Sequence, residues 1–353
     1  MLKTKSLKLV AAVSLTTFSI FSFNQISSAK MAAMAMPDSQ MKAVIDQLVM
    51  LKGKPIEKLS PKQARMQPTP TDAVKKLLEK QGKSTAPEPV TKVENKTIPG
   101  PAGNIPVRVY TPGNDANLPV IVYFHGGGWV IATMDTYDGS CRALANAAKA
   151  IVVSVEYRKA PENKFPAAPE DAYAATQWVM KNAKTMNGDP NNVAVAGESA
   201  GGNLATVVSM MSRDRKAQMP VHQLLVYPVV DTNLARPSYI INAKAKPLSA
   251  PMMSWFWGHY LKNRKDMMNP YAAPFKAKSL AGLPPATIIG AEIDPLMSEG
   301  KAYADKLKKA GISVKYQLYK GVTHEFFGMG AVVDKAKAAV SVAASDLKKS
   351  FAK

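Results

Sequence analysis

The chain has 353 residues, of which 46% are hydrophobic and 20% are charged, so it can bury a substantial core as one large domain with insertions or as two domains. Its formal net charge is +20. Because the lysines are scattered and no basic run is interleaved with aromatic residues, the charge favours a solvated basic surface, suited to an anionic envelope, over a nucleic-acid site.

The first 29 residues are typical of an export signal. Three lysines precede an apolar stretch from Leu9 to Phe23, and Ser27-Ser28-Ala29 then supplies small residues before a cleavage point. The apolar stretch is too short to favour a membrane span. We expect cleavage after Ala29, with Ala33 and Ala35 as alternatives. The signal predicts a periplasmic or extracellular protein. Cys141 is the only cysteine and lies far from the signal, so we expect neither an internal disulfide nor a lipid anchor.

The region from about residue 37 to 95 is helical in pattern. Met41–Leu51 and Thr71–Gln81 are predicted as two amphipathic helices, and Thr71 is the predicted N-cap of the second. A proline-containing linker from Ser84 to Val90 leads to the first strands.

Strands then alternate with helices. The predicted strands are 105–111, 119–124, 150–156, 192–197, 223–230, 286–293 and 314–319. The predicted helices are 167–182, 200–213, 296–310 and 332–349. Nearly continuous apolar strands separated by helices predict an α/β fold with a mostly parallel sheet covered on both faces. The strands around Val107 and Ile121 are a candidate antiparallel edge.

One long segment interrupts this alternation. About 55 residues separate Val230 from Ala286, more than one crossover needs. The segment contains Trp255, Phe256, Trp257 and Tyr260 in a single short stretch. An aromatic insertion at the carboxyl ends of the strands predicts a lid over a ligand site, and the alternative is that the rings form the insertion's own small core.

The stretch Gly197-Glu198-Ser199-Ala200-Gly201 joins a predicted strand to a predicted helix. A Gly-x-Ser-x-Gly sequence between strand and helix is the pattern of a nucleophile elbow, which exposes the serine hydroxyl on a strained turn. Gly197 and Gly201 lie where side chains would collide with the neighbouring strand and helix. We therefore predict that Ser199 is a catalytic nucleophile.

A serine nucleophile needs a histidine base and an acid that orients the histidine. Of the four histidines, His324 follows the last predicted strand and is the predicted base. Asp294 closes the preceding strand and is the predicted acid, with Asp231 as the alternative. His222 opens a strand at the opposite end, which indicates a structural role, and His259 lies in the insertion. The order Ser199, Asp294, His324 is that of the α/β-hydrolase motif.

The run His125-Gly126-Gly127-Gly128-Trp129 directly follows a predicted strand. Its glycines let backbone N–H groups approach a substrate oxygen, so we predict that the N–H groups of Gly127, Gly128 and Ala200 form an oxyanion hole. No Lys-Ser/Thr pair follows, which excludes a phosphate-binding P-loop. His125 is expected to brace this loop by hydrogen bonding. Trp129, Trp255 and Trp257 are candidate substrate-binding side chains.

Together these motifs resemble the bacterial hormone-sensitive-lipase-like family of α/β-hydrolases over about residues 95–330. The matching segments are 125–129, 157–162, 165–168, 197–205, 294–296 and 324–326. The chain departs from the family at Glu198, usually Asp or Thr, at Ser298, often an acid, and at Lys159, commonly Leu.

The resemblance implies an α/β-hydrolase core at 96–231 and 276–353, built on a mostly parallel eight-stranded sheet. It also implies a helical cap formed by residues 30–95 and 232–275. The implied activity is hydrolysis of short- to medium-chain acyl esters without metal or cofactor, so the expected partner is a small-molecule ester, and the oligomeric state stays open.

Two other interpretations remain open. The first is a ligand-binding protein on the same scaffold, like the gibberellin receptors, which resemble this family but lack the catalytic histidine; the presence of His324 argues against it. The second is a basic surface-interaction protein, which would bind anionic polymers with steep salt dependence.

Overall fold

The computed structural model describes Met1 and residues 33–353. The apolar stretch and the Ala29 cleavage point of the predicted export signal lie outside these residues. Within the described part of the chain, no helix is both long enough and apolar enough to span a membrane.

Eight strands form a single sheet. They are β1 (Lys92–Gly100), β2 (Gly103–Thr111), β3 (Leu118–Phe124), β4 (Ile151–Val155), β5 (Gly188–Glu198), β6 (Gln223–Val226), β7 (Ala286–Ile293) and β8 (Val314–Thr323). Their order across the sheet is β1-β2-β4-β3-β5-β6-β7-β8. The β1–β2 and β2–β4 pairs are antiparallel, and every other pair is parallel.

Helices cover both faces of the sheet. They are α1 (Ser39–Met50), α2 (Pro61–Ala64), α3 (Pro70–Lys80), α4 (Asp138–Ala148), α5 (Ala167–Asn182), α6 (Ala200–Asp214), α7 (Pro237–Ile241), α8 (Ala250–Tyr260), α9 (Met297–Lys309) and α10 (Asp334–Phe351). Short 3₁₀ segments lie at Ile56–Lys58, Ala183–Met186, Arg264–Met268, Pro274–Lys276 and Phe326–Gly328.

The strands are buried on both sides because alternate residues enter two separate apolar clusters. On β3, Val120, Val122 and Phe124 pack in one cluster with α5, α6, α8 and α9. Ile121 and Tyr123, on the other face, pack in the second cluster with α1, α3, α4 and α10. This arrangement accounts for the nearly continuous apolar runs from which a two-sided sheet was predicted.

The antiparallel edge differs from the prediction. β2, which carries Val107, is antiparallel to β1 and β4, whereas β3, which carries Ile121, is a central strand parallel to β4 and β5. The edge strand β1 was missed because it is mostly exposed, and Ile98 is its one buried residue, so it lacks an apolar run. β1 begins at Lys92, inside the segment expected to belong to the cap.

Two element boundaries were also wrong. The α3 helix is capped by Thr69, whose side chain accepts from the Asp72 N–H at 3.2 Å, while the Asp72 carboxylate accepts from the Thr69 N–H at 2.8 Å. Thr71, the predicted cap, lies inside α3 and donates its hydroxyl to the Thr136 carbonyl. The predicted strand 223–230 ends at Val226 because Pro228 follows the turn there.

The first helix, α1, packs against one face of the sheet. Met41 and Val44 are each 1% exposed and belong to the apolar cluster that contains α10. The chain before α1 is tied down as well, because Asp38 donates its N–H to the Gly321 carbonyl at 2.8 Å and accepts from Lys335 Nζ at 2.7 Å. The α1 helix is therefore part of the core of the domain.

Replacing Met41 with alanine tests that conclusion. Met41→Ala leaves a void beneath α1 and should lower the free energy of unfolding by about 2–5 kcal/mol. Met50→Ala, on the same helix but 60% exposed, should change it by less than about 0.5 kcal/mol. Urea unfolding followed by circular dichroism measures both, and equal effects would show that α1 does not contribute to the core.

Candidate active site

Ser199 lies on a sharp turn between β5 and α6. Its backbone has φ 56° and ψ −117°, a region that residues with a side chain rarely adopt, and it is 5% exposed. A Cβ at Gly201 would lie 1.8 Å from the Phe124 carbonyl oxygen, and one at Gly197 would lie 2.3 Å from the Gly201 backbone. The turn therefore closes only with glycine at both positions, as the sequence predicted.

Asp294 and His324 are brought together by two neighbouring parallel strands. Ile293 on β7 pairs in register with Thr323 on β8, so the next residue on each strand emerges at the same edge of the sheet. His324 Nδ1 lies 2.7 Å from Asp294 Oδ2, and the other oxygen, Oδ1, accepts from the Leu296 N–H at 2.8 Å. Both side chains are buried.

The carboxylates around His324 favour its protonated form. Burial is the largest single effect and lowers the pKa of His324, but Asp294 together with Glu325 and Glu198 outweighs it, so the pKa is raised above its usual value. An acid on Nδ1 leaves Nε2 to exchange protons. The hydrogen bonds of the described residues do not include one from Ser199 Oγ to Nε2, but both side chains line one cavity, and such contacts often tighten only when substrate binds.

The alternative acid and the other histidines have different partners. Asp231 contacts Arg236 at 2.6 Å and Lys276 at 3.2 Å. His222 hydrogen-bonds with Ser350 and Thr287. His125 stacks on the Tyr157 ring and donates Nδ1–H to the Gly126 carbonyl at 2.8 Å, and burial lowers its pKa to about 4. His125 thus holds the glycine loop as a neutral ring, in agreement with the bracing role expected for it.

The glycine loop lies beside Ser199. Gly127 has φ 91° and Gly128 has φ 57°; a Cβ at Gly127 would lie 2.3 Å from the Ile131 carbonyl oxygen, and one at Gly128 2.2 Å from the Phe256 ring. Both glycines line the same cavity as Ser199 and His324. Ala200 is the first residue of α6, where backbone N–H groups have no partner within the helix. Two of the three predicted oxyanion donors, Gly127 and Gly128, therefore line the cavity with Ser199, and the third, Ala200, directly follows the serine in the chain.

The cavity above Ser199 has a volume of about 630 Å³, within the range of small-molecule sites. Gly127, Gly128, Ser199 and His324 line it. The segment before the sheet and the insertion both supply apolar wall residues, namely Leu48, Val49, Ile56, Leu248, Met252 and Phe256. In residues 33–353, no cluster of three or more His, Cys, Asp or Glu side chains is arranged to hold a metal ion.

The three tryptophans predicted to bind substrate are not among the residues that line this cavity. Trp129 is fully buried and stacks on the Tyr260 ring at 4.1 Å, with Trp257 4.8 Å away. Trp255 donates Nε1–H to the Leu59 carbonyl at 3.1 Å. The alternative interpretation, that rings of the insertion are core, holds for Trp257.

The face of α8 that reaches the cavity was not predicted. Met252 and Phe256, four residues apart on α8, line it, whereas Trp257 and Tyr260 lie on the face turned to the core. The sequence of α8 is apolar on nearly every side, so its pattern does not show which face meets a ligand.

Two glutamates beside the triad were also missed as functional residues. Glu325 lines the cavity, and its Oε1 lies 3.7 Å from His324 Nε2. Glu198 is buried directly before Ser199. The available signal was their position next to the predicted nucleophile and base; Glu198 was recognised only as a departure from the family.

The glycine at position 201 provides a steric test of the turn. Gly201→Ala should lower the free energy of unfolding by about 3 kcal/mol or more, because the new methyl group meets a backbone oxygen that cannot move alone. Gly258→Ala in α8, where a Cβ meets nothing within 4 Å, should raise it by about 0.5–1 kcal/mol. Denaturant unfolding measures both, and a neutral Gly201→Ala would contradict the close approach described here.

Comparison with known proteins identifies the family. The model of a family described as having the alpha/beta hydrolase fold matches residues 121–328, more than half of the chain. Esterase LipI of Mycobacterium tuberculosis is 42% identical over 258 residues, covering 72% of this chain and 80% of its own. Carboxylesterase NlhH of the same organism is 42% identical over 276 residues, covering 76% of this chain and 86% of its own.

A solved structure agrees. The hyperthermophilic esterase of the archaeon Pyrobaculum calidifontis is 38% identical, covers 90% of this chain and 99% of its own, and superposes with a TM-score of 0.80. The chain therefore belongs to the α/β-hydrolase family, in its hormone-sensitive-lipase-like branch, as the motifs predicted.

Proposed function

We propose that the protein is an exported serine carboxylesterase that hydrolyses short- to medium-chain acyl esters. The observation that carries the proposal is that Ser199, on its strained turn, and His324, hydrogen-bonded to Asp294, face one cavity beside the glycine loop. The naming of its relatives as esterases and carboxylesterases supports the same reaction class.

The chemistry follows from the placement of these groups. Ser199 Oγ attacks the ester carbonyl while His324 Nε2 takes its proton, and Asp294 stabilises the imidazolium that forms. The N–H groups of Gly127, Gly128 and Ala200 stabilise the oxyanion. His324 then protonates the departing alcohol, and a water molecule activated by the same nitrogen releases the acid and restores the serine.

The dimensions of the cavity support the proposed substrate class. A volume of about 630 Å³ accommodates an acyl chain and a small alcohol together, and the walls formed by Leu248, Met252 and Phe256 are apolar. The exposed Lys54, Lys244 and Lys246 and the half-buried Lys159 also line the cavity. The ester carbonyl has to reach Ser199, so the acyl chain and the alcohol have to share this volume.

Ser199→Ala tests the reaction directly. Loss of the nucleophile should lower turnover of p-nitrophenyl esters by a factor on the order of 10⁴ or more, because the acyl-enzyme cannot form. The measurement is hydrolysis of the acetate-to-palmitate series by residues 30–353, with activity expected for the short and medium chains. A fluorophosphonate should label the unchanged protein and leave the variant unlabelled.

Two results would contradict the proposal. One is near-unchanged ester turnover by pure Ser199→Ala, and the other is a folded protein that neither hydrolyses any ester of the series nor reacts with the fluorophosphonate. The second result would favour a ligand-binding protein on this scaffold. Ser209→Ala, which removes a hydroxyl buried in α6 and bonded to the Ala205 carbonyl, is the matched control and should retain turnover.

Export is tested by the mass of the secreted product. The full chain produced in a bacterium should release a protein whose N-terminus is Lys30, because the small residues at 27–29 fit a signal-peptidase site. Intact mass spectrometry of the periplasmic fraction and medium measures the cleavage point. Ala29→Leu should block cleavage there, and recovery of the uncut chain from the cytoplasm alone would contradict export.

A further inference from the structure

Two further carboxylates lie beside the triad, and the reaction described above does not use them. Glu198, directly before Ser199, is 1% exposed and accepts hydrogen bonds from the hydroxyls of Tyr123 and Tyr227. Glu325, directly after His324, accepts from the Tyr137 hydroxyl at 2.7 Å. Each therefore adjoins a reacting residue in the chain and is held by tyrosine hydroxyls.

Glu325 is close to the nitrogen that exchanges protons. Its Oε1 lies 3.7 Å from His324 Nε2, while Asp294 occupies Nδ1 at 2.7 Å, so the imidazole has a carboxylate beside each of its two nitrogens. The contact is longer than a hydrogen bond, which leaves Nε2 free to bond the serine. At that separation an opposite charge still stabilises a protonated ring.

The position of Glu325 is fixed by the glycine loop. Tyr137, which binds it, packs so closely against the loop that a Cβ at Gly126 would lie 2.2 Å from the tyrosine hydroxyl oxygen. Glu325 itself adopts φ 69°, a left-handed conformation that turns its side chain back toward the histidine and the cavity. The glycine loop, Tyr137 and Glu325 are thus in contact one with the next on the Nε2 side of the His324 ring.

Titratable groups on each of the neighbouring elements face Glu325. These groups are His324 on its own loop, Tyr137 before α4, Glu198 at the end of β5, Tyr227 after β6 and Asp294 after β7. Burial and then repulsion from Glu325 raise the pKa of Glu198 to about 7, and burial raises the pKa of Glu325 against the opposing charge of His324. Both carboxylates raise the pKa of His324 in turn.

We propose that Glu325 is a positioning residue for the esterase reaction, holding negative charge beside Nε2 so that the His324 imidazolium is stabilised from both sides. Glu198, whose pKa burial raises to about 7, contributes the same effect from farther away at pH values where it is ionised. Glu325 exchanges no proton with substrate and forms no bond to it; it acts through His324 alone. The inference rests on the proposed function, because it assigns the role within that reaction.

The test is the pH profile of Glu325→Gln, which keeps the shape and removes the charge. Activity falls on the acid side when His324 becomes protonated; without the carboxylate His324 is harder to protonate, so the acid limb of kcat/KM should move to lower pH by about 1 pH unit. The plateau kcat should fall by up to about tenfold with little change in KM, since the imidazolium forms only along the reaction.

Two companion variants separate this effect from a change in overall charge or folding. Glu198→Gln should shift the acid limb in the same direction by a smaller amount. Glu79→Gln, an exposed residue on α3 paired with Lys76, should leave the limb unmoved. If Glu325→Gln does not fold, the acid limb of kcat/KM for Glu198→Gln is the test. A shift of that limb to lower pH supports the proposal, and an unmoved limb overturns it.

Failure of this inference can be told apart from failure of the proposed function. If Ser199→Ala is inactive but the acid limb of Glu325→Gln stays within about 0.2 pH units of the unchanged enzyme, Glu325 has only a structural role and the positioning proposal is overturned. If the unchanged protein hydrolyses no ester, the pH dependence of its fluorophosphonate labelling reports the protonation of His324 and gives the same comparison.

Discussion

The site depends on one close approach, between the end of β3 and the start of α6. The Phe124 carbonyl oxygen would lie only 1.8 Å from a Cβ at Gly201, so strand and helix can be this close only because that atom is missing. Phe124 also precedes the glycine loop, and Gly201 follows the serine by two residues. One steric constraint therefore sets the distance between the nucleophile and the backbone donors. The positive φ of Ser199 is a strained conformation, and the packed core on both faces of the sheet maintains it.

The other half of the triad depends on register. Because Ile293 and Thr323 are paired between β7 and β8, Asp294 and His324 leave the sheet side by side, and a shift of one residue would turn one of them to the opposite face. The pairs β5–β6, β6–β7 and β7–β8 are all parallel, so the carboxyl ends that carry the site lie along one edge. The cavity then forms where α8 and the segment around Ile56 close over that edge.

Most of the strands and the candidate triad were predictable because they depend on local signals: an apolar run followed by Gly-x-Ser-x-Gly, by Asp294-Pro or by His324. Other features depend on tertiary contacts. β1 carries little apolar sequence and is a strand because β2 offers it a partner. The choice of Phe256 over Trp257 as a cavity wall is set by how α8 packs, since its sequence is apolar on nearly every side. The placement of Glu325 against His324 follows from a left-handed turn that its residue type does not signal.

The tyrosines account for how so much negative charge can be buried near one imidazole. A carboxylate removed from water loses its hydration and must be compensated by hydrogen bonds or an opposite charge. Glu198 receives two tyrosine hydroxyls, Glu325 receives one, and Asp294 receives the Leu296 N–H and His324. The tyrosine hydroxyls and the Leu296 N–H are neutral, so they satisfy the oxygens without cancelling the charge that an ionised carboxylate carries. Where the carboxylates are ionised, the field at the imidazole is negative, which is the condition under which a buried histidine can accept the proton of a serine.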